Sequence, residues 1–441
     1  MAFRVVAVSG AASLPPQREA DLRVQWDGQG RNATRNLSKL TETLPHSLPP
    51  LALDLLDIAT TVHLADIAAP RGRNERWARS LELVVPVREP LFWREVRDDL
   101  TYLMYVLTRD AVEFDFAAKT ATAEESTPSS APFQADCVSL LSGGVDSLAG
   151  AVMLLKTGRQ PLFVSHSSGN PTIRKTQATV ASCLEMLVPN AGRIAEAGLH
   201  GGGSGSPQYP FPPAEQREPS QRARSFLFMS LAMVAAVGQG VSEVFICENG
   251  ILTMALPLSK ARVGGFSTRS THPKVIALMN QLCQKAGFRC QLQNPLVYQT
   301  KGEIIRDILR PALSPFDIQR TVSCWATGRS SRQCGGCVAC LVRRFSMLTA
   351  GLPDEAYEMD MLNRPRDYVG TDGYSNLMDL LGQASDFAGD DDSQLLFSYP
   401  ELLDLPSGGV SIRETIRMYR RHAEQVLAVV DQHFPAVAAL L

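Results

Sequence analysis

The run Ser142-Gly-Gly-Val-Asp-Ser147 constrains the fold of this chain more than any other part of its sequence. It stands between an apolar run typical of a buried strand, Cys137–Leu141, and a helical pattern, Leu148–Leu155. Two glycines let the backbone turn tightly, and the free N–H groups of the turn and the helix N-terminus then point at an anion. We therefore predict a phosphate-binding loop formed by Ser142, Gly143, Gly144, Asp146 and Ser147.

The loop differs from that of the kinase-like nucleotide-binding proteins, because no lysine follows its second glycine. We expect it to hold pyrophosphate as the leaving part of a nucleotide, so that the bond breaks at the α-phosphate. Asp146 is expected to cap the helix or to orient magnesium. The alternative is a glycine-rich turn between a strand and a helix, without a ligand.

Strands and helices alternate after the loop. A second strand at Pro161–Ser165 and a helix near Thr176–Leu187 are followed by a helix at Ser225–Val237 and a strand at Val244–Cys247. This alternation predicts an α/β fold with a parallel sheet. Ligands bind such sheets at the carboxyl ends of the strands, where Ser165 and the Glu248-Asn249-Gly250 turn lie. For Glu248 and Asn249 the alternative is an ordinary Asn-Gly turn.

Four of the nine cysteines follow the spacing C-x9-C-x2-C-x2-C: Cys324, Cys334, Cys337 and Cys340. Four thiolates at this spacing can converge on one zinc ion, and a zinc ion with four protein ligands is structural. An iron–sulfur cluster is the competing assignment, and four unrelated cysteines are the third. The other five cysteines sit in apolar settings and are expected in the core. An odd cysteine count indicates metal or thiol chemistry instead of a disulfide framework.

A length of 441 residues suggests about three domains. Residues 1–118 combine alternating strands with two helical patterns, and we interpret them as an α+β recognition or scaffold domain. Residues 119–134 have the composition of a linker. Residues 135–345 would form the α/β core, with the metal motif at 324–340, and residues 346–441 a mostly helical extension.

The net charge and the hydropathy of the chain restrict the classes of partner that we expect for it. Lys and Arg number 43 against 45 Asp and Glu, so the net charge of −2 argues against nucleic acid or an anionic membrane as a partner. The N-terminus lacks a signal-peptide pattern, and the longest apolar stretch, Ser225–Gly238, is shorter than a membrane span. We therefore expect a cytosolic protein.

Taken together, these motifs resemble a known family. The Ser142–Ser147 loop is similar to that of the PP-loop ATP pyrophosphatases. Cys324-Trp325, the Cys334–Cys337 pair and Cys340-Leu-Val-Arg-Arg344 narrow the resemblance to 7-cyano-7-deazaguanine synthases, the QueC family. Arg222-Ala-Arg224-Ser225 and Thr300-Lys301-Gly-Glu303-Ile304 look like further family segments. The resemblance covers about 137–345.

The resemblance implies a Rossmann-like fold of the adenine nucleotide alpha hydrolase type, with ATP, Mg²⁺ and Zn²⁺ as cofactors. It implies an enzyme that adenylates a 7-deazaguanine carboxylate and transfers the acyl group to an amine. Lys301 and Arg224 would neutralise charge on the α-phosphate and the leaving group, with Asp146 as the third catalytic residue. The nucleotide would also contact Ser165, and the substrate would contact Glu248, Asn249, Arg269 and His272.

For Lys301, Arg224 and His272 the alternatives are ordinary structural roles. A lysine at a helix start is usually solvated, Arg224 could be the polar end of a buried helix, and a lone histidine such as His272 is more often structural.

The chain also departs from the family. His272-Pro273 replaces an Arg-Pro pair, and Ser165-His-Ser-Ser-Gly169 lacks the Asp-Tyr-Gly pattern. With its additional N- and C-terminal regions, the chain looks like the divergent QueC-like proteins of bacterial anti-phage operons, the Qat type. That likeness implies a partner protein of the same operon as the amine acceptor, with ammonia as the other possible amine.

Two further hypotheses remain. One is a PP-loop tRNA-modifying enzyme, for which an arginine face on one helix would be needed: Arg413, Arg417, Arg420 and Arg421. A solvated arginine face is the simpler interpretation. The other is a catalytically inactive nucleotide-binding module that holds a partner protein.

Overall fold

The computed structural model describes residues 2–8, 20–28, 30–72, 78–120, 133–167, 169–190, 192–202, 210–258, 269–325 and 332–440. Most of the predicted linker, 121–132, lies outside these residues. The strands are β1 (Phe3–Val8), β2 (Leu22–Gln25), β3 (Ala33–Asn36), β4 (Ser80–Val87), β5 (Ala111–Ala118), β6 (Cys137–Leu140), β7 (Pro161–His166), β8 (Arg193–Gly201), β9 (Glu243–Phe245) and β10 (Gln291–Gln293).

The helices before the metal motif are α1 (Ser38–Thr41), α2 (Pro50–Ala68), α3 (Pro90–Glu95), α4 (Arg97–Thr108), α5 (Val145–Lys156), α6 (Pro171–Leu187), α7 (Arg224–Gln239), α8 (Gly250–Met254), α9 (Pro273–Lys285), α10 (Lys301–Glu303) and α11 (Pro315–Gln319). A π-helical segment, Ile304–Leu309, continues α10. The later helices are α12 (Val338–Thr349), α13 (Asp372–Gly389), α14 (Asp392–Ser398), α15 (Ile412–His433) and α16 (Pro435–Ala438). Short 3₁₀ turns lie at Ala214–Gln216, Pro365–Tyr368 and Pro400–Gly408.

The larger sheet has the strand order β10-β9-β6-β7-β8-β3. All neighbours are parallel except β3, which pairs antiparallel with β8. Successive residues face opposite sides, so Cys137 packs with α5 and α6, whereas Val138 packs with α2, α7 and α9. This arrangement confirms the predicted α/β fold. The chain leaves β6 toward β7 on one side and returns to β9 on the other, and such a reversal forms a ligand crevice at the carboxyl ends.

The N-terminal region forms a second sheet, β2-β1-β4-β5, in which every pairing is parallel. The predicted strands near 22–26, 81–87 and 112–116 correspond to β2, β4 and β5, whereas the alternation criterion missed β1 and β3. Through β3, the N-terminal region adds an edge strand to the larger sheet, with Thr34 opposite His200. One hydrophobic core then spans both sheets. The predicted boundaries at 118, 134 and 345 stay predictions.

Helix α2 is buried almost throughout, although it carries three aspartates. Asp54 and Asp57 both accept from Arg88, and Asp57 also lies 3.0 Å from the Lys119 ammonium. Asp66 lies 2.5 Å from the Arg79 guanidinium. Buried carboxylates need such partners, since an unpaired buried charge is very costly. These ion pairs allow a polar helix to occupy the centre of the N-terminal region.

The C-terminal region is helical, as predicted. Helix α15 packs against α12 and α13, and this region has its own hydrophobic core. Ser411 caps α15 by accepting from the Glu414 N–H at 3.3 Å. Among the described helices of the whole chain, none is both long and apolar enough to cross a membrane.

Candidate functional site

The Ser142–Ser147 loop turns tightly between β6 and α5. Gly143 has φ +89°, a backbone conformation that glycine adopts without strain. The Ser147 hydroxyl donates to the Gly144 carbonyl at 3.0 Å, and the Ser142 and Ser147 hydroxyls lie 3.0 Å apart. Helix α5 begins after Gly144 without a side-chain cap, so the expectation that Asp146 might cap it is wrong. The carboxylate of Asp146 has a different partner.

That partner is Lys301, which follows Asp146 by 155 residues in sequence. Its ammonium donates to Asp146 Oδ2 at 2.5 Å. Only 2% of the Lys301 side chain and 9% of the Asp146 side chain are exposed, so the pair is shielded from solvent. The alternative of a solvated lysine at a helix start is therefore wrong.

A second carboxylate and an amide complete this cluster at the carboxyl end of β9. The Asn249 amide donates to Glu248 Oε1 at 3.0 Å and to Asp146 Oδ2 at 3.4 Å. Burial, followed by the neighbouring Asp146 charge, raises the pKa of Glu248 well above its ordinary value. We call Asp146, Glu248, Asn249 and Lys301 the carboxylate–lysine cluster. It lies where the strand order of the larger sheet reverses.

Asn294, which the sequence analysis missed, fixes the turn that carries Glu248. Its side-chain NH₂ group donates to the Glu248 backbone carbonyl at 2.8 Å and to the Thr253 hydroxyl at 3.0 Å. Its side-chain carbonyl oxygen accepts from the Glu248 backbone N–H at 3.3 Å. Asn294 follows β10, so its position beyond the end of a strand is the one signal that could have found it.

Ser165 lies beside the phosphate loop. It is buried, and its hydroxyl accepts from the Gln177 amide at 3.0 Å. Gln177 also donates to the His166 carbonyl at 2.9 Å. A Cβ added to Gly143 would lie 3.4 Å from the Gln177 side chain. Gln177, another residue missed in the sequence, thus connects the end of β7 to the loop.

Arg224 occupies a different part of the carboxyl edge. It begins α7, and its guanidinium lies 5.8 Å from the Phe228 ring. The side chain is solvent-accessible, and desolvation by the surrounding protein lowers the pKa of its guanidinium. Asp66 of α2 accepts from the Ala223 N–H at 2.8 Å and so ties down the start of the helix.

Three histidine rings lie close together here, and two of them, His63 and His166, are neighbours of Arg224. The His166 ring lies 6.2 Å from that of His63 and 5.7 Å from that of His200. Burial and neighbouring cationic groups lower the pKa of His63 to about 3 and that of His166 to about 4. These two imidazoles are therefore neutral at pH 7. His63 belongs to α2, so the N-terminal region contributes to this edge of the sheet.

His272 and Arg269 precede α9. The His272 ring Nδ1 accepts from the Lys274 N–H at 3.2 Å and caps the helix. Burial and the nearby Arg269 charge lower its pKa to about 3. Thr271 connects this segment to the carboxylate–lysine cluster, because its hydroxyl lies 3.4 Å from that of Thr253. The contact of His272 and Arg269 with substrate stays a prediction.

The four motif cysteines come together between the core and the C-terminal region. The ligand atoms of Cys324, Cys334, Cys337 and Cys340 all lie within 4.8 Å of one another. The Cys334 and Cys340 sulfurs are 3.8 Å apart. Tetrahedral zinc with Zn–S bonds of about 2.3 Å needs sulfurs about 3.8 Å apart, so the cluster fits this ion.

The backbone around the cluster supports the same assignment. The Cys334 N–H donates to the Cys324 sulfur at 3.4 Å, and the Cys337 N–H donates to the Cys334 sulfur at 3.3 Å. Such bonds stabilise thiolates. A Cβ at Gly335 would lie 2.2 Å from the Met359 carbonyl, so only glycine fits between the second and third cysteines.

The candidate arginine face of α15 is occupied by intramolecular partners. Arg417 lies 2.7 Å from Glu414, Arg420 lies 2.9 Å from Asp392, and Arg421 lies 2.6 Å from Glu303. Three of the four arginines thus have carboxylate partners within the chain, which weakens the tRNA-binding hypothesis.

Comparisons with known proteins agree with this geometry. Residues 136–351 match the family model described as "Queuosine biosynthesis protein QueC", so this part of the chain is a QueC family domain. The 7-cyano-7-deazaguanine synthase of Ectopseudomonas mendocina is 29% identical over 226 residues, which are 49% of this chain and 95% of the relative. The synthase of Synechococcus sp. strain CC9605 is 26% identical over 231 residues, 50% of this chain and 96% of the relative. That of Nitrosococcus oceani is 30% identical over 135 residues, 30% of this chain and 55% of the relative.

Proposed function

We propose that this protein is an ATP-dependent ligase that adenylates the carboxylate of a 7-deazaguanine and transfers the acyl group to an amine. The observation that carries the proposal is the 2.5 Å contact between Lys301 and Asp146. It joins two segments that resemble family motifs and lie far apart in sequence. Both segments fall within the QueC family match.

The chemistry proceeds in two steps. A carboxylate oxygen of the substrate attacks the α-phosphorus of ATP, forming an acyl-adenylate and releasing pyrophosphate. The amine nitrogen then attacks the acyl carbon, an amide bond forms, and AMP leaves with the carboxylate oxygen. The amine proton passes to a base. Activation is needed because oxide is a poor leaving group and AMP a good one.

The residues divide this work. The backbone N–H groups of the Ser142–Ser147 loop bind the pyrophosphate portion at the start of α5, and Ser165 borders the nucleotide. Lys301 neutralises charge that develops at the α-phosphate, as oriented cations do in phosphoryl-type transition states. Arg224, at the start of α7, would neutralise charge on the leaving group. Glu248, with its raised pKa, is suited to exchange a proton with the amine.

Asp146 is the residue that would hold Mg²⁺. Asp146 Oδ1 is buried, and the described residues provide no hydrogen-bond partner for it, so it can accept a metal ion. The ion would supply charge neutralisation for the phosphate oxygens. At the four cysteines a zinc ion would be structural, because all four positions of a tetrahedral site are taken by the protein.

An enzyme assay tests the ligase activity. Purified protein with ATP, magnesium, 7-carboxy-7-deazaguanine and an amine should release AMP and pyrophosphate. Asp146→Ala and Ser147→Ala should each lower the rate by about 10²-fold or more. Ser182→Ala is the matched control, because Ser182 is exposed on α6 and bonds only within that helix. Absence of turnover with every amine tried would refute the ligase and leave a nucleotide-binding module.

We further propose that the acceptor is an amine of a partner protein, such as that of an N-terminal glycine, in anti-phage defence. Support comes from the regions on either side of the family match, which residues 136–351 do not include. Intact-mass spectrometry of proteins encoded beside this chain and co-expressed with it provides the test. A mass increase equal to one deazaguanine acyl group, absent with Asp146→Ala, is expected. Amide formation with ammonia alone would overturn this acceptor.

A further inference from the structure

Helix α15 lies outside the family match, yet it contacts two of the three segments that carry the carboxylate–lysine cluster, those of Lys301 and of Glu248 and Asn249. We infer that α15 is the positioning element of this cluster. Arg421 and Gln425 fix the short helix that presents Lys301, and Met418 and Tyr419 fix the turn that presents Glu248 and Asn249. The catalytic consequence rests on the proposed ligase function, whereas the ordering of the two segments does not.

The helix that presents Lys301 is too short to be stable without contacts to other elements. Helix α10 comprises only Lys301–Glu303, and even with its π-helical continuation to Leu309 the run is shorter than an isolated helix needs. Its capping box closes the first turn: the Glu303 carboxylate accepts from the Thr300 N–H at 2.9 Å, and the Thr300 hydroxyl accepts from the Glu303 N–H at 3.1 Å. Both members of this box are also bound from α15.

Arg421 and Gln425 lie one turn apart on α15 and make these contacts. Arg421 Nε donates to Glu303 Oε1 at 2.6 Å, and its Nη2 donates to the Tyr298 carbonyl at 2.8 Å. The Thr300 hydroxyl donates to Gln425 Oε1 at 2.9 Å. The guanidinium and the amide thus contact residues on both sides of Lys301.

The second segment packs against the preceding turn of α15. The Tyr419 hydroxyl donates to the Ile251 carbonyl at 3.3 Å. A Cβ at Gly250 would lie 2.7 Å from Met418 Cε and 2.4 Å from the Val297 carbonyl. Gly250 therefore lies between the Val297 carbonyl and the Met418 side chain of α15, and the carbonyl leaves no room for a methyl group.

The expected effects on rate and on stability distinguish a positioning role of Arg421 from a role in stabilising the whole fold. The Arg421–Glu303 pair is 41% and 14% exposed, and partly exposed pairs contribute little to global stability. Misplacing a reacting group by about 1 Å can lower a rate by about 10²-fold. Loss of Arg421 should therefore lower kcat strongly, whereas the free energy of unfolding should change little.

The test compares Arg421→Ala with Arg417→Ala on the same helix. Arg417 pairs with Glu414 within α15 and faces solvent, so its removal is a matched loss of charge. Arg421→Ala should lower kcat by about 10²-fold at nearly unchanged KM for ATP and melting temperature, with Arg421→Lys intermediate. Arg417→Ala should match the wild type. Equal kcat for Arg421→Ala and the wild type would overturn the inference.

Hydrogen–deuterium exchange of the same variants needs no turnover. Peptides covering 296–305 should exchange faster in Arg421→Ala and Gln425→Ala, but not in Arg417→Ala. Unchanged exchange in those peptides would overturn the inference even for an inactive protein. An inactive wild type with the expected exchange pattern would instead refute the ligase and leave the positioning role of α15 standing.

Discussion

Replacing Lys301 by Met removes the buried contact with Asp146 that supports the proposed ligase function. The lysine ammonium and Asp146 Oδ2 are 2.5 Å apart, with 2% and 9% of their side chains exposed. Methionine keeps the length and most of the volume of the side chain but removes its charge. Asp146 and the neighbouring Glu248 then share a shielded site without a cation.

The cost follows from this burial. Removing one partner of a buried ion pair destabilises a protein by about 3–5 kcal/mol, because the other charge remains unpaired. At 1.4 kcal/mol per factor of ten, the unfolding equilibrium constant should rise by about 100- to 4,000-fold. Protonation of a carboxylate relieves part of this cost, so the loss should be smaller at pH 5.5 than at pH 8. In Lys301→Met/Asp146→Asn neither charge remains, and most of the stability should return.

Urea-induced unfolding followed by circular dichroism measures these differences, and the rate of AMP formation is recorded on the same samples. All Lys301→Met variants should lack AMP formation, including the double variant whose stability recovers. If Lys301→Met alone were as stable as the wild type, the buried ion pair between Lys301 and Asp146 would be refuted. Additive losses of stability in the double variant would refute the coupling between the two charges.

Three further predictions concern the remaining groups. Cys337→Ser should lose zinc, measured by atomic absorption, together with cooperative unfolding, whereas the core variant Cys183→Ser should keep the metal; a folded, metal-free Cys337→Ser would contradict a structural zinc site. Because the pKa of Glu248 is raised, its protonated form contributes stability below the ordinary value of 4.5 that is lost as the pH rises through the folded-state value. Glu248→Gln should flatten this pH dependence of the unfolding free energy, and an unchanged slope would contradict it. His272→Ala should lower stability by about 1 kcal/mol through loss of the α9 cap, and His272→Asn should restore it; lost turnover in a stable His272→Asn would favour a substrate contact.

Local motifs of the site could be predicted from the sequence. The phosphate loop depends on two adjacent glycines between a strand and a helix, and the cysteine cluster depends on spacing within 17 residues. The proximity of Asp146 and Lys301 was implied by family resemblance, since 155 residues separate them and no periodicity connects them. The parallel order of the sheet followed from the alternation of strands and helices.

Contacts between distant elements could not be predicted in this way. The pairing of β3 with β8 involves four residues without an alternating pattern. The aspartates of α2 look like a solvated face until Arg79, Arg88 and Lys119 arrive from other elements. Likewise, Arg421 looks solvated in the sequence, but in the structure it bonds to Glu303 beside the candidate site. Such polar side chains acquire their partners only through the tertiary fold.

The fate of the substrate's carboxylate oxygen distinguishes amide formation through an acyl-adenylate from every other route. With both carboxylate oxygens of 7-carboxy-7-deazaguanine labelled by ¹⁸O, amide formation through an acyl-adenylate transfers one label to the phosphate of AMP. Mass spectrometry of the AMP formed by the wild-type protein should show one ¹⁸O per molecule, and Asp146→Ala should form no labelled AMP. Amide formed together with unlabelled AMP would contradict the mechanism.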